Sequence, residues 1–270
     1  MRYALTNGQR REAEPGLSGE CPSCLNPVVA KCGEIKIRHW AHRGKRICDA
    51  WWENETEWHR QWKDQFPVEW QEHIHTATDG EKHIADVKTS QGWVLEFQYS
   101  AISPEERRSR NDFYKKLVWV VNGQRRKRDS IQFAKAWNGG TQIGNAPFFK
   151  TINPASSLLI QEWSNGTAPV FFDFGEPLRL WWLFPTGPDG LAYIGAFPRA
   201  NFIDLHRGSN AQNAQEFEAL LNDFNGLIAN YSRHQAQVRN QTLAAHTTNF
   251  LNGRPNQQIQ SFQARGRRRF

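Results

Sequence analysis

The sequence predicts an α/β (α+β) fold: a mixed β-sheet flanked by helices and preceded by a small cysteine-bearing module. All cysteines of the 270-residue chain lie in its N-terminal part, at Cys21, Cys24, Cys32 and Cys48. Tryptophans recur at helical spacing in residues 51–66, and apolar residues alternate with polar ones in residues 83–100, which indicates a hairpin. The apolar run 117–121 then indicates a buried strand.

Composition divides the chain into successive predicted segments. Residues 1–50 form the cysteine-bearing module, and residues 51–137 form a core of helix, strand, hairpin, helix and strand. Residues 138–234 are expected to add further strands and a helix. Gln, Asn and Arg dominate residues 235–270, so we expect a disordered basic tail there.

The formal net charge of +7 favours a polyanionic partner, above all nucleic acid, although an ordinary basic protein can carry the same charge. No apolar run reaches the roughly 18 residues that a membrane span needs, and residues 1–11 are too polar for a secretory leader. We therefore expect a cytoplasmic protein with reduced cysteines. The sequence does not indicate an oligomeric state.

The cysteines of the N-terminal module are spaced like metal ligands. Cys21 and Cys24 form one pair, and His39 and His42 form a second pair within range. Thiolate and imidazole ligands at this spacing predict a structural zinc site in a zinc-ribbon-like module, with short strands at residues 28–30 and 34–40. Since a tetrahedral site has four positions, Cys48 is an alternative to one histidine. We interpret Cys32 as a small buried apolar residue.

A helix is predicted over residues 51–66, ending before Pro67. Its helical spacing is carried by Trp51, Glu55, Trp58 and Trp62. On such a helix Glu55 and His59 are four residues apart and share a face. Glu55 is therefore a candidate metal ligand, with Glu53 and Glu57 as competitors, and an ordinary surface pair is the alternative.

The predicted hairpin brings two acids together. A loop at residues 90–92, with glycine at its end, sets a register that pairs Asp86 with Glu96. Directly opposed residues have Cβ atoms about 4.5–5.5 Å apart. Gln98 shares the face of Glu96, because side chains alternate along a strand. The other face is expected to point into the core through Ala85, Val87, Leu95, Phe97 and Tyr99.

Two carboxylates held this close repel each other unless a cation lies between them. Mg²⁺ and Mn²⁺ are hard cations that prefer such oxygen ligands. The alternative is a solvated sheet face with incidental acids, but aspartate is disfavoured in mid-strand. We therefore predict a divalent-cation site at Asp86 and Glu96.

The remaining elements follow local signals. Ser103 is a helix cap with proline at the first helical position and glutamate at the third, so a helix is expected to run to residue 116. Further strands are predicted at residues 169–174, 178–184, 192–197 and 201–206, and a helix at residues 216–233. The tryptophans at helix and strand spacing favour core packing over base stacking.

Taken together, these motifs resemble the CoiA-like competence family. The matching segments begin at Cys21 and His39 in the module and continue as Glu55-Thr-Glu-Trp-His59, Ile84-Ala-Asp86-Val, Glu96-Phe-Gln98, Arg110 and Tyr114. The resemblance covers about residues 15–121. It implies a zinc-finger-like module followed by a PD-(D/E)xK, restriction-endonuclease-like nuclease fold. Ile-Ala stands before Asp86 where the motif name has proline. The resemblance says little about the role of the region after about residue 165.

The resemblance implies that Asp86 and Glu96 bind the catalytic Mg²⁺ or Mn²⁺, and that Glu55 is the helix acid, with His59 beside it. Gln98 stands in place of the usual lysine. Glutamine carries no charge, so we expect it to orient a water molecule while the cations stabilise the scissile phosphate.

DNA is the partner that the resemblance implies, with recombination proteins as further candidates. Arg110 matches the family pattern and is expected to hold phosphates together with Tyr114, whereas Arg107 is interpreted as part of a solvated helix face. The predicted function is a metal-dependent deoxyribonuclease in DNA uptake, recombination or repair. The alternatives are a catalytically silent nucleic-acid binder and a recombination-accessory protein.

Overall fold

The computed structural model describes residues 1–44, 48–49, 51, 53–77, 80–208 and 211–252, and the side chains of residues 211–216 and 245–252 are left aside. The last part of the predicted basic tail, residues 253–270, lies outside the described residues. Nowhere in the described part of the chain is a helix both long enough and apolar enough for a membrane crossing.

The N-terminal module is a five-stranded antiparallel sheet in the order β2-β1-β3-β4-β5. Its strands are β1 Tyr3–Thr6, β2 Gln9–Glu12, β3 Ser18–Glu20, β4 Pro27–Lys31 and β5 His39–His42. Trp40 is buried at its centre, and its indole N–H donates to the Arg11 carbonyl over 2.9 Å. The strand predicted at residues 34–40 is wrong over most of its length, because pairing with β4 begins only at Lys31 and His39 and leaves residues 32–38 as a loop.

The rest of the chain builds one nine-stranded sheet with helices against it. The first half contains α1 Glu57–Lys63, β6 Gln71–Thr76, β7 Lys82–Lys88, β8 Val94–Gln98, α2 Pro104–Phe113 and β9 Leu117–Asn122. The second half contains α3 Asp129–Gly139, β10 Thr141–Ile143, β11 Ala146–Ile152, α4 Leu158–Trp163, β12 Val170–Asp173, β13 Arg179–Phe184, β14 Ala192–Pro198, α5 Arg199–Arg207 and α6 Ala211–Asn252.

The strand order of this sheet is β10-β11-β14-β13-β12-β9-β8-β7-β6. β9 pairs in parallel with both β8 and β12, and the other neighbours are antiparallel. The predicted mixed sheet flanked by helices is therefore confirmed. Because β12 joins directly onto β9, the sheet runs without a break across the predicted boundary at residue 137.

The first helix is shorter than predicted. Thr56 caps it, since its hydroxyl accepts the His59 backbone N–H and its own N–H donates to the His59 ring over 3.1 Å. This reciprocal cap starts α1 at Glu57, so residues 53–56 precede the helix and belong to no helix or strand. Glu55 consequently does not share a helix face with His59, and that expectation is corrected.

Three other boundaries differ from the sequence-based expectation. The strand predicted at residues 201–206 is helix α5, whose buried Phe202 and His206 are four residues apart. Helix α2 ends three residues early, because the backbone at Tyr114 is extended. The predicted helix 216–233 is confirmed, and α6 continues to Asn252, so a helix also covers residues 235–252 of the predicted tail.

One buried acid fastens α1 to the sheet. Asp173, at the end of β12, is 2% exposed and accepts the indole N–H groups of Trp58 and Trp62, each over 2.9 Å. Its other oxygen accepts the Gly175 N–H and the guanidinium of Arg199. The helix that carries His59 and Lys63 is thus positioned by a single carboxylate.

We expect Asp173→Ala to lower the free energy of unfolding by about 3–5 kcal/mol, because it leaves two indole N–H groups without their acceptor and removes the carboxylate that pairs with the Arg199 guanidinium. Glu176→Ala is the matched control: Glu176 also accepts a tryptophan N–H, but it is 42% exposed, and its loss should cost under about 1 kcal/mol. Urea unfolding of both variants measures the difference. Equal losses would show that Asp173 does not hold α1.

Candidate functional site

Acidic side chains converge on a recess between α1, the β7–β8 hairpin and the N-terminal module. Its carboxylates come from Asp49, Glu53, Glu55, Glu72, Asp86 and Glu96. The cationic side chains lining it are Lys63 and Arg110, with His59 close by. The recess encloses about 70 Å³, which leaves room for a cation and a few water molecules.

The predicted hairpin register is confirmed. Val87 pairs with Leu95, and the register therefore sets Asp86 opposite Glu96. Here a side chain takes the place of a backbone hydrogen bond between the two strands: the Asp86 carboxylate accepts the Phe97 N–H over 2.9 Å. Tyr99 does not enter the core as predicted, since β8 ends at Gln98 and the Tyr99 side chain is 39% exposed.

The regular alternation of β7 breaks at Asp86. Ala85 packs with one core cluster and Val87 packs with another, whereas both were predicted to share one face. Across β6, the residue opposite Asp86 is Glu72, which has a φ of 47° and drops out of the strand pairing. A non-glycine residue in this left-handed region is strained, and such strain collects at functional sites.

Glu72 also joins the module to the recess. Its two oxygens accept the backbone N–H groups of Arg2, over 2.6 Å, and Tyr3, over 3.0 Å. Burial alone would raise the pKa of Glu72, but Lys63 and these N–H groups outweigh burial and lower it to about 2. Glu72 is therefore ionised, and the first strand of the module is held against β6.

Lys63 lies among three carboxylates of the recess. Its ammonium nitrogen is 3.0 Å from Glu55, 3.3 Å from Glu72 and 3.4 Å from Asp86, and its side chain is 4% exposed. Burial alone would lower the pKa of Lys63. The three carboxylates have the larger, opposite effect, so the pKa lies above its ordinary value. Lys63 is therefore a permanent cation next to Asp86.

Glu96 is only partly satisfied by its neighbours. One oxygen accepts the Arg110 guanidinium over 2.8 Å, while Oε1 is buried and accepts no hydrogen bond. Burial raises the pKa of Glu96 to about 8, although Arg110 opposes the shift. A buried carboxylate oxygen without a donor is suited to a cation, which would also favour loss of the proton.

The residues predicted to bind DNA both face inward. Arg110 is buried, and it also contacts Glu106 and the Trp51 carbonyl. Tyr114 is 4% exposed and packs against Trp51 and Phe113. In this conformation neither side chain presents its polar atoms to a ligand outside the recess.

Gln98 does not line the recess, contrary to its predicted position beside a water molecule there. Its amide N–H donates to Glu53 over 3.1 Å and to the Ser100 carbonyl over 3.2 Å. Burial would raise the pKa of Glu53, but His59, at 3.5 Å, and the Ser100 N–H lower it overall. Gln98 therefore positions Glu53, which does line the recess.

Three acids of the recess were not singled out from the sequence as candidates. Glu53 was considered only as a competitor of Glu55, and Asp49 and Glu72 lie outside the motifs. The Asp49 carboxylate accepts the Trp51 N–H over 2.9 Å and the Ile84 N–H over 3.1 Å, and it pairs with His83. The left-handed backbone at Glu72 has no signal in the sequence.

The module holds a group that could bind a metal ion. Ligand atoms of Cys21, Cys24, His42 and Cys48 all lie within 4.8 Å of one another. The Cys21 and Cys48 sulfurs are 3.8 Å apart, and the His42 nitrogen is 3.3 Å from Cys24 and 3.6 Å from Cys48. Tetrahedral zinc separates two sulfurs by about 3.8 Å and sulfur from nitrogen by about 3.6 Å, so the geometry is consistent with structural zinc.

His39, which was predicted as a zinc ligand, is not part of this group, and Cys48 takes the fourth position. His39 and His42 are three residues apart on β5, so their side chains leave opposite faces of the strand. The ring of His39 instead contacts the Ile37 carbonyl over 2.8 Å.

The acids of the recess are less tightly grouped. Among the residues that the structure describes, only the module contains three or more Cys, His, Asp or Glu ligand atoms at such mutual distances. Mg²⁺ commonly binds one or two carboxylates and keeps several waters. Asp86 and Glu96 fit that kind of site, and they do not form a preformed cage.

We expect Cys48→Ser to lose the metal ion of the module and to lower the thermal unfolding midpoint, since a structural metal contributes folding energy. His39→Ala is the matched control and should keep one metal ion per chain. Elemental analysis of protein purified without chelators measures both. A full metal content in Cys48→Ser, with loss in His39→Ala, would contradict the ligand set.

Comparison with known proteins bears on the module alone. No curated protein matches the chain, and no solved structure matches it. A family model does match the segment that contains all four residues of the metal-binding group. Residues 18–50 match the family model for competence protein CoiA, N-terminal domain, which confirms the predicted resemblance for this part of the chain.

Proposed function

We propose that the protein is a metal-dependent nuclease that hydrolyses DNA phosphodiester bonds, with a PD-(D/E)xK type of site. The observation that carries the proposal is the pair of facing carboxylates, Asp86 and Glu96, in a recess where Glu96 Oε1 has no donor. Several carboxylates that line one small recess favour a bound divalent cation. The order of elements from α1 to β9 is the one predicted from local sequence patterns, and the mixed sheet flanked by helices agrees with the fold that the CoiA-like resemblance implies.

The module is proposed to hold zinc as a structural ion. Its ligands leave no open coordination position, which is typical of structural and not catalytic zinc. A competence-related role, in DNA uptake, recombination or repair, agrees with the match of residues 18–50. DNA is the proposed partner, with recombination proteins as further candidates.

Several residues of the recess have a proposed part in the reaction. Asp86 and Glu96 would hold Mg²⁺ or Mn²⁺, which supplies charge stabilisation and an activated water. Glu53, fixed by Gln98 and backbone N–H groups, is an ionised carboxylate in the same recess and would serve as a proton acceptor there. His59 contacts Glu53 and orients its carboxylate.

We propose that Lys63, and not Gln98, is the side chain that supplies positive charge to the reaction. Its ammonium is 3.4 Å from Asp86, whereas Gln98 is directed toward Glu53. A cation fixed beside the reacting phosphate stabilises the charge that develops on it in the transition state.

The alternative is a catalytically silent nucleic-acid binder. The contacts of Lys63 with Asp86 and of Arg110 with Glu96 favour it, because each acid of the pair already has a cationic partner. An experiment that asks for metal-dependent cleavage separates the two functions.

We expect Asp86→Asn and Glu96→Gln to abolish cleavage of labelled DNA in Mg²⁺ or Mn²⁺, since both keep the side-chain shape but remove the charged ligand. Glu105→Gln, which changes a 74% exposed acid on α2, is the control and should cleave like the wild type. Single-turnover rates measure the effect. Wild-type rates in both isosteric variants would refute the site, and a wild-type protein without metal-dependent cleavage would favour the silent binder.

We expect Lys63→Met to slow cleavage about 10²–10³-fold, the usual cost of removing one stabilising group from a transition state. Lys63→Arg, which retains the charge, should keep more activity. Gln98→Ala should cost less than Lys63→Met, because it only loosens Glu53. The same single-turnover assay ranks the variants, with thermal unfolding to confirm folding. A larger loss in Gln98→Ala than in Lys63→Met would overturn this division of roles.

A further inference from the structure

A second recess lies beside the acidic one. It encloses about 330 Å³ and is lined by Met1, Ile35, Lys36, Ile37, His39, Asn54, Glu55 and Thr56. Met1 and Glu55 also line the acidic recess. The two recesses are therefore adjacent, and they share Met1 and Glu55 as a common wall.

One side of this groove is the module's loop of residues 32–38. Ile35 at its tip is 98% exposed, an unusual position for a branched apolar side chain. Lys36 and Arg38 are exposed on either side of Ile37. The Arg38 carbonyl accepts the guanidinium of Arg60, which ties the loop to α1.

This combination suits a nucleic-acid strand. Cations neutralise phosphates, and an exposed apolar side chain can contact the face of an unstacked base or separate neighbouring bases. The volume of the groove is that of a small-molecule site and admits a short stretch of one strand, not the width of a duplex. The acids of the adjacent recess would repel a phosphate unless a cation were bound among them.

We propose that the loop of residues 32–38 holds single-stranded nucleic acid, with phosphates on Lys36 and Arg38 and a base against Ile35, and directs the strand into the acidic recess. That the strand is directed toward a catalytic site rests on the proposed function. The binding itself does not depend on cleavage, so the two can fail separately.

The test measures the binding of a fluorescent single-stranded oligonucleotide to the full chain by anisotropy, in buffer without added divalent cations or chelators, so that cleavage is not supported and the module keeps its metal ion, and at several salt concentrations. Lys36→Glu combined with Arg38→Glu should weaken binding about tenfold or more and flatten the salt dependence by about 1.4 in the log–log slope, for two lost phosphate contacts. Ile35→Asp should weaken binding in a separate variant. Lys127→Glu combined with Lys135→Glu is the control of equal charge, on exposed residues that line neither recess.

Unchanged affinity and salt slope in the loop variants, or equal loss in the control, would overturn the proposal. A duplex of the same length that binds more tightly than the single strand, and loses the same affinity in the loop variants, would overturn the choice of a single strand. Metal content and thermal unfolding of each variant show that the module is intact. A cleavage assay of the wild type tests the nuclease function independently of these results.

Discussion

The repulsion among six carboxylates around one recess is the constraint on which this site depends. Buried acids cannot be screened by water, so each needs a nearby donor or cation. Lys63 lies among three of them, Arg110 pairs with Glu96, and backbone N–H groups bond to several others. Arg60 and the amino terminus of the chain add positive charge near Glu55 and Glu72, yet the pKa of Glu96 is still raised to about 8, so this acid lacks the compensation that a bound divalent ion would supply.

This compensation draws on distant parts of the chain. The module contributes the N–H groups of Arg2 and Tyr3 to Glu72, and Asp49 follows Cys48, a member of the metal-binding group. Asp173, at the end of β12, fixes α1, which carries Lys63. The metal-binding module and the acidic recess are therefore one structural unit, and loosening the module would withdraw donors from the recess.

Features that depend on residues close in sequence could be predicted from the sequence. The hairpin register followed from the loop at residues 90–92, and strand alternation, had it been applied to β5, would have excluded His39 as a partner of His42. The helical spacing of the tryptophans predicted a helix that starts at residue 51, whereas the Thr56 cap starts α1 at Glu57. Asp49 and Glu72 could not be found from the sequence, because long-range contacts and a left-handed backbone bring them to the recess.

The central claim is that the facing acids of the hairpin are a divalent-cation site. Anomalous scattering at the manganese edge from crystals soaked in Mn²⁺ tests it most directly. We expect a peak in contact with both Asp86 and Glu96, with the Lys63 ammonium beside it. Manganese bound elsewhere, with Lys63 and Arg110 still the cations in contact with these two acids, would contradict it.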